Sequence, residues 1–230
     1  METPNTRLTL FPESLRARYD LTLKQLHLGG NDYSILAVKD TNDLLDKIDP
    51  QAFSVDERMP YWAELWPASS CLAEICIECQ DQFRGSSVLE LGCGLGLAGI
   101  AAAKAGASVV FTDYENDALL FAQHNAGLNL SAELGRCAFQ LFDWRAPSDL
   151  ARFRCILGAD LLYEERNFNP LLNILHSHLE QDGVALFTDP RRSVAERFPP
   201  CAVERGYRVN LSTRWERNAQ RNIVVIEVRR

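Results

Sequence analysis

The sequence contains no apolar run that approaches the roughly 20 residues a helix needs to cross a bilayer. Residues 1–11 also lack the basic start and apolar core of a secretory signal. The chain shows no internal repeat, no low-complexity tract and no linker that would divide residues 50–230. Hydrophobic residues make up 47% and charged residues 24% of the 230 residues, a globular composition that excludes wholesale disorder. We therefore expect a cytoplasmic protein without a membrane partner.

Positive charge is scarce, because 24 Lys and Arg stand against 31 Asp and Glu, which gives a net charge of −7. A protein that holds phosphates indiscriminately needs a cationic face. The balance therefore argues against a general nucleic-acid or anionic-membrane binder. It is compatible with a cationic substrate, and equally with a charge that only keeps the chain in solution.

The cysteines follow neither a disulfide nor a zinc pattern. There are seven of them, an odd number, and they are scattered, as is typical of reduced thiols in the cytosol. Cys76 and Cys79 form a lone C-x-x-C inside a helical pattern. No second C-x-x-C or Cys/His pair completes a zinc site, so we predict no metal.

The hydrophobic pattern predicts an α/β fold. From residue 87 onward short apolar strands alternate with helical segments, which indicates βαβ units and a parallel sheet. Strands over 207–212 and 222–228 follow each other without a helix, which predicts an antiparallel hairpin at one edge. The other expected elements are helices over 69–82, up to 105, 117–128, 169–179 and, broken, 193–205, with strands over 88–91, 109–112, 138–142, 155–157 and 183–188.

The first part of the chain differs in pattern. Alternating residues over 21–28 and 33–38 predict a hairpin with a longer loop, and a short helix is expected over 43–48. We divide the chain into an N-terminal extension, residues 1–50, packed on the same domain, and one α/β domain, residues 51–230.

A glycine-rich loop follows the strand over 88–91, with the sequence Gly92-Cys93-Gly94-Leu95-Gly96-Leu97-Ala98-Gly99. Ligands of open α/β sheets bind beyond the carboxyl ends of the strands, and glycines allow close approach of the backbone. Asp113, at the end of the next strand, can accept hydrogen bonds from ribose hydroxyls. Taken alone, Gly94-x-Gly96-x-x-Gly99 fits a dinucleotide site, and it also fits a tight turn that binds nothing.

The wider string Glu90-x-Gly92-x-Gly94-x-Gly96 resembles motif I of the class I, seven-β-strand methyltransferases, which bind S-adenosylmethionine. The resemblance implies a Rossmann-like, doubly wound sheet of seven strands, mostly parallel with an antiparallel last strand. It also implies roles for the residues around the loop. Glu90 and the loop, including Cys93, flank the methionine part of the cofactor, and Asp113 binds the ribose hydroxyls with Tyr114 beside it.

Further landmarks are similar to methyltransferase family 16, a group of non-histone protein-lysine methyltransferases. They are Trp66 before the first strand of the sheet, Asp143-Trp144 after its third strand, and Ala159-Asp160-x-x-Tyr163 after its fourth. The resemblance implies that Trp66, Asp143, Trp144 and Ala159 line the cofactor pocket, with Trp144 near the adenine. Without the resemblance, the tryptophans read as core anchors.

The same resemblance implies a protein substrate that presents a lysine. We expect Asp160 to accept a hydrogen bond from the incoming amine and Tyr163 to support that position. Tyr61 and Trp62 are candidates for cation–π contact with the amine. We predict a monomer.

Other function classes stay open. A small-molecule amine, such as nicotinamide, is the alternative substrate. Enzymes that N-methylate DNA or RNA typically carry Asn/Asp-Pro-Pro-Tyr/Phe after the fourth strand, and residues 160–163 lack both prolines. A catalytically silent cofactor-binding module is the third class. Residues 188–192 and the N-terminal hairpin match no part of the family pattern, so the sequence does not predict the target.

Overall fold

The computed structural model of the protein describes residues 13–45, 59–146 and 149–230. The strands are β1 (Leu21–Leu28), β2 (Asn31–Val38), β3 (Ser87–Leu91), β4 (Ser108–Asp113), β5 (Cys137–Leu141), β6 (Phe153–Ala159), β7 (Leu179–Asp189), β8 (Arg208–Glu216) and β9 (Arg221–Arg229). The α-helices are α1 (Glu13–Arg16), α2 (Asn42–Leu45), α3 (Pro67–Glu78), α4 (Gln80–Phe83), α5 (Leu97–Lys104), α6 (Asn116–Asn129), α7 (Phe168–His178) and α8 (Phe198–Glu204). None of these helices has the length and apolar character needed to cross a membrane.

Strands β3 to β9 form one sheet of seven strands in the order β5-β4-β3-β6-β7-β9-β8. The first five strands in that order pair in parallel, and β9 runs antiparallel to both β7 and β8. The predicted fold class, a doubly wound and mostly parallel sheet with an antiparallel last strand, is confirmed. Because β3, β4, β6 and β7 are parallel, their carboxyl ends meet at one edge of the sheet.

Two hydrophobic cores cover the two faces of the sheet. One core joins the hairpin, α3, α5 and α6, and the other joins α7 and α8. Adjacent residues of β3 alternate between them, since Val88 belongs to the first core and Leu89 to the second. This period of two, with both faces apolar, is what a strand buried between two helical layers requires.

The N-terminal hairpin has a tighter turn than the sequence predicted. Leu28 pairs with Asn31, so only Gly29 and Gly30 form the turn, and their φ angles are 53° and 77°. Two positive φ angles are typical of a type I′ turn, whose twist matches that of the strands. The expectation of a longer loop was wrong because Asn31 and Asp32, which favour turns, extend β2 instead.

Several other helix and strand boundaries differ from the predicted ones. The helix predicted over 69–82 begins at Pro67 and is interrupted at Cys79. Strand β7 begins at Leu179, earlier than predicted, and Pro199 lies in the first turn of α8, where a missing N–H is tolerated. Residues 46–48 of the helix predicted over 43–48 lie outside the described residues, as does the proposed boundary at residue 50. The division into an extension and a domain stays a prediction.

Asn125 on α6 joins the hairpin to the sheet. The side chain is fully buried, and its Oδ1 accepts a hydrogen bond from the Leu36 N–H at 2.7 Å. Its Nδ2 donates to the carbonyl oxygens of Leu36, at 3.1 Å, and Leu95, at 2.9 Å. One amide therefore satisfies backbone groups of both β2 and the glycine-rich loop.

We expect Asn125→Ala to lower the free energy of unfolding by about 3 kcal/mol, because buried backbone groups of Leu36 and Leu95 lose their partner. Urea denaturation followed by circular dichroism measures the change. Gln123→Ala, an exposed amide on the same helix, is the matched control and should change stability by about 0.5 kcal/mol or less. Equal stability of the two variants would contradict this role of Asn125.

Candidate functional site

A cavity of about 330 Å³ opens where the carboxyl ends of the parallel strands meet. All but one of the residues predicted from the sequence line it: Trp66, Glu90, Gly92, Cys93, Gly94, Gly96, Asp113, Tyr114, Trp144, Ala159, Asp160 and Tyr163. Asp143 lines a smaller neighbouring pocket instead and forms a bidentate ion pair with Arg145, whose Nε donates to Oδ1 and whose Nη2 donates to Oδ2. The role of each side chain toward a cofactor stays a prediction. No group of three or more His, Cys, Asp or Glu among the described residues could hold a metal ion.

The glycine-rich loop forms the floor of the cavity. Gly92, Gly94 and Gly96 have φ angles of 56°, 49° and 81°. A Cβ atom at residue 92 would lie 2.8 Å from a methyl of Leu161, and one at residue 94 would lie 3.1 Å from the carbonyl oxygen of Trp62. Both the backbone conformation and the close approach therefore require glycine.

Glu90 is buried beneath this loop. Burial raises the pKa of its carboxyl to about 8, and the N–H of Gly99 donates to it. The Oε2 atom has no hydrogen-bond partner among the described residues. A Cβ at residue 99 would lie 2.4 Å from Oε2, so Gly99 leaves the space for this carboxyl group.

Asp113 lies beside the loop at the end of β4. Its Oδ2 accepts a hydrogen bond from the Gly94 N–H and its Oδ1 accepts one from the Glu115 N–H, each at 3.0 Å. Burial raises its pKa to about 6, although these hydrogen bonds act in the opposite direction. Each carboxylate oxygen retains lone-pair capacity for a further donor, as binding of ribose hydroxyls requires.

Aromatic rings form the walls of the cavity. Trp144 is buried, its Nε1 has no partner among the described residues, and Tyr114 meets it edge to face at 6.5 Å between ring centroids. The Tyr61 ring lies 6.0 Å from the Trp66 ring and 5.6 Å from the Tyr163 ring. Tyr61 is 45% exposed and stands at the rim.

The ring of Trp62 does not join that group. It packs against Tyr19 at 5.9 Å and against Phe121 at 5.4 Å. Its backbone, by contrast, contacts the glycine-rich loop. Of the two residues predicted to meet a cation, only Tyr61 contacts Tyr163.

Asp160 follows β6 directly and has a left-handed backbone, with φ of 62°. Its N–H donates to the carbonyl oxygen of Thr188 at 2.8 Å. Its carboxyl group is buried, and Oδ1 accepts a hydrogen bond from Nη1 of Arg192. Oδ2 has no partner among the described residues. The structure therefore brings a half-satisfied carboxylate to the cavity.

Tyr163, three residues further on, makes no hydrogen bond to Asp160 among the described residues. Burial raises the pKa of its hydroxyl, and the nearby Asn167 side chain partly offsets that rise. Its contact with the Tyr61 ring indicates that it helps to form the aromatic wall.

Sequence reasoning singled out residues 188–192, as a segment that contacts substrate or only starts the next helix, but it assigned no role to Arg192. This residue lies three positions beyond β7 and lines the cavity. Besides contacting Asp160, its guanidinium lies 3.3 Å from Oδ2 of Asp189. The available signal was Asp189 itself, an acidic residue that ends an apolar strand at the same sheet edge.

The fold and the cavity define a class I methyltransferase domain. The model of a family described as lysine methyltransferase matches residues 56–198, more than half of the chain, and the chain belongs to that family. S-adenosylmethionine is the cofactor that this class and family indicate. The glycine-rich loop, the lone-pair capacity of Asp113 and the unpartnered Glu90 Oε2 fit it.

Individual relatives are named as protein methyltransferases, one for histidine and one for lysine. The histidine protein methyltransferase 1 homolog of Dictyostelium discoideum is 32% identical over 151 residues, 63% of this chain and 47% of the relative. The electron transfer flavoprotein beta subunit lysine methyltransferase of Danio rerio is 30% identical over 177 residues, 70% of this chain and 67% of the relative. The chain thus spans between about half and two thirds of the length of these relatives.

The solved structures show the same fold. The ribosomal protein L11 methylase from Lactobacillus delbrueckii subsp. bulgaricus superposes with a TM-score of 0.56 at 26% identity. The superposition covers 70% of this chain and 78% of that one.

We expect Asp113→Ala to weaken S-adenosylmethionine binding about tenfold or more, because hydrogen bonds from ribose hydroxyls to a charged acceptor are lost. Isothermal titration calorimetry measures the Kd. Asp182→Ala, which removes an exposed carboxylate, is the control. An unchanged Kd in a folded Asp113→Ala protein would contradict the assignment.

The affinity for S-adenosylmethionine should also fall as the pH drops below about 6, the pKa of the Asp113 carboxyl in the free protein. Hydroxyl donors favour the ionised carboxylate, so cofactor binding at lower pH must first remove a proton. Calorimetry on both sides of that pH measures the effect. Asp113→Asn should bind more weakly but without this pH dependence, and an identical dependence in both proteins would assign the titration to another group.

Proposed function

We propose that this protein is an S-adenosylmethionine-dependent N-methyltransferase that modifies a lysine side chain of a non-histone protein. The observation that carries the proposal is the Asp160 carboxyl group: the residue lines the cavity, and its buried Oδ2 atom has no hydrogen-bond partner among the described residues. The glycine-rich loop and Asp113 lie along the same cavity. A site for an amine therefore adjoins a site for a nucleoside cofactor.

On the cofactor side, the chain's residues bind and orient. The glycine-rich loop and Glu90 hold the methionine part, and Asp113 accepts hydrogen bonds from the ribose. Trp144 would line the adenine part of the site, and its buried Nε1 has no hydrogen-bond partner among the described residues. Trp66 and Ala159 complete the walls. S-adenosylmethionine supplies a methyl group that its sulfonium has already activated.

On the substrate side, the chain must bring a lysine amine into line with that methyl group. In-line displacement needs the reacting atoms about 3–3.5 Å apart, and a lysine with a reference pKa of about 10.4 must first lose a proton to solvent. The N–C bond then forms as the bond between the methyl carbon and sulfur breaks, with S-adenosylhomocysteine as the leaving group. Asp160 Oδ2 accepts a hydrogen bond from the amine and so directs its lone pair. The rings of Tyr61 and Tyr163 exclude water from the aliphatic part of the lysine, and this desolvation favours the neutral amine.

A histidine of a protein substrate is the second candidate, because the Dictyostelium discoideum relative is a histidine protein methyltransferase homolog. An imidazole N–H can donate to Asp160 Oδ2 as an amine does. A small-molecule amine stays the third candidate. We also propose that the protein is a cytoplasmic monomer, a setting with which its seven free cysteines agree.

Incubation with methyl-labelled S-adenosylmethionine and a lysate that lacks the gene tests the proposal. We expect one labelled protein or a few, with the label on lysine after hydrolysis. Asp160→Asn keeps the size of the side chain and one acceptor, and it should retain cofactor binding while labelling falls about 100-fold.

The other outcomes discriminate between the candidates. Label on histidine would support the second candidate, and label only in the low-mass fraction would support the small amine. No labelled product from wild-type protein that binds S-adenosylmethionine would contradict the proposed activity. Full activity of Asp160→Asn would remove Asp160 from the mechanism.

A further inference from the structure

Arg192 connects two buried carboxyl groups at the edge of the site. Its Nη1 donates to Oδ1 of Asp160 and lies 3.3 Å from Oδ2 of Asp189. The Asp189 side chain is 1% exposed and that of Asp160 is 6% exposed, whereas that of Arg192 is 33% exposed. A buried carboxylate without a counter-charge is strongly destabilising, and Arg192 supplies a counter-charge to Asp160. Asp189 also accepts hydrogen bonds from the backbone N–H groups of Arg191 and Arg192 and lies near Arg221, although burial still raises its pKa.

The turn after β7 directs Arg192 back toward β6. The backbone N–H of Arg192 donates to Oδ1 of Asp189 at 2.6 Å. Arg191 has a left-handed backbone with φ of 68°, and Arg221 donates to the carbonyl oxygen of Pro190 at 3.0 Å. The turn therefore fixes the backbone of Arg192, and the two carboxylates fix its guanidinium.

We propose that Arg192 is a positioning residue for methyl transfer, which holds Oδ1 of Asp160 so that Oδ2 is directed to the incoming amine, and which stays in place during turnover. The inference rests on the proposed function of Asp160. It extends that function to a segment that the sequence pattern did not assign.

Two arguments favour a fixed Arg192 over one that the substrate displaces. First, a substrate ammonium that replaced Arg192 at Asp160 would remove one of the two guanidinium groups near the buried Asp189, the other being that of Arg221, at a cost in free energy. Second, the positive charge of Arg192 disfavours a second cation beside it and so favours the neutral, nucleophilic form of the substrate amine. A displaced arginine would supply neither effect.

The test compares Arg192→Ala, Arg192→Lys and the control Arg136→Ala, which removes an exposed arginine that precedes β5 and does not line the cavity. Rates are measured on the protein that the wild-type enzyme labels. We expect kcat of Arg192→Ala to fall about 100-fold, as a misplaced reacting group does, with the Kd for S-adenosylhomocysteine unchanged. Lysine keeps the charge but not the planar fork, so Arg192→Lys should recover part of kcat. The control should match the wild type.

An Arg192→Ala protein with undiminished kcat, or with a lower KM for the protein substrate, would overturn the proposal and indicate that the substrate displaces the arginine. Full kcat in Arg192→Lys would also overturn the proposal. If Arg192→Ala does not fold, the result for Arg192→Lys alone tests the proposal. If the wild type methylates no target, the proposed function fails. Crystal structures of the wild type and Arg192→Lys with S-adenosylhomocysteine then still test the positioning, because we expect the Asp160 carboxyl group to turn in the variant, and an unmoved group would contradict it.

Discussion

Four buried carboxyl groups along one edge of the sheet are the constraint on which the site depends. Glu90, Asp113, Asp160 and Asp189 come from the ends of four neighbouring strands, and each is less than 10% exposed. Removing a carboxylate from water costs several kcal/mol unless hydrogen bonds or a counter-charge offset the loss. The loops that follow these strands must therefore supply compensation, and they do so in three different ways.

The buried carboxyl groups are compensated in three different ways. Glu90 has a pKa of about 8, so it is mostly protonated at neutral pH in the free protein. Asp113 is stabilised by backbone N–H groups of the loops that face it. Asp160 and Asp189 share the guanidinium of Arg192. Two of the carboxylate oxygens along this edge, Glu90 Oε2 and Asp160 Oδ2, still lack hydrogen-bond partners among the described residues. An edge of this kind favours a cationic ligand such as a sulfonium, whereas the positive charge of Arg192 beside Asp160 favours the neutral form of an amine.

The sequence predicted the parts of the site that depend on local pattern. Asp113 and Asp160 were found because an acidic residue that ends an apolar strand is visible in the sequence, and the glycines because a loop that follows such a strand has few alternatives. No role was predicted for Arg192, since its contact with Asp160 depends on the parallel pairing of β6 with β7, where Ala159 lies opposite Thr188. That register is a property of the whole sheet. The tight turn at residues 29–30 was missed for a related reason, because cross-strand pairing overrode the turn preference of the residues after it.

Strand β7 therefore determines the position of Asp160 from the neighbouring strand. Asp160 adopts a φ of 62°, a conformation that costs a non-glycine residue about 1–3 kcal/mol and persists only where its surroundings hold it. The holding contacts both come from β7 or the turn after it: the carbonyl oxygen of Thr188 accepts the Asp160 N–H, and Arg192 binds its carboxyl group. Thr188 is in turn fixed by its hydroxyl, which donates to the carbonyl oxygen of Ala68 in α3 at 2.9 Å. The helix that begins beside Trp66 is thus connected through β7 to the carboxyl group of Asp160, and both residues line the same cavity.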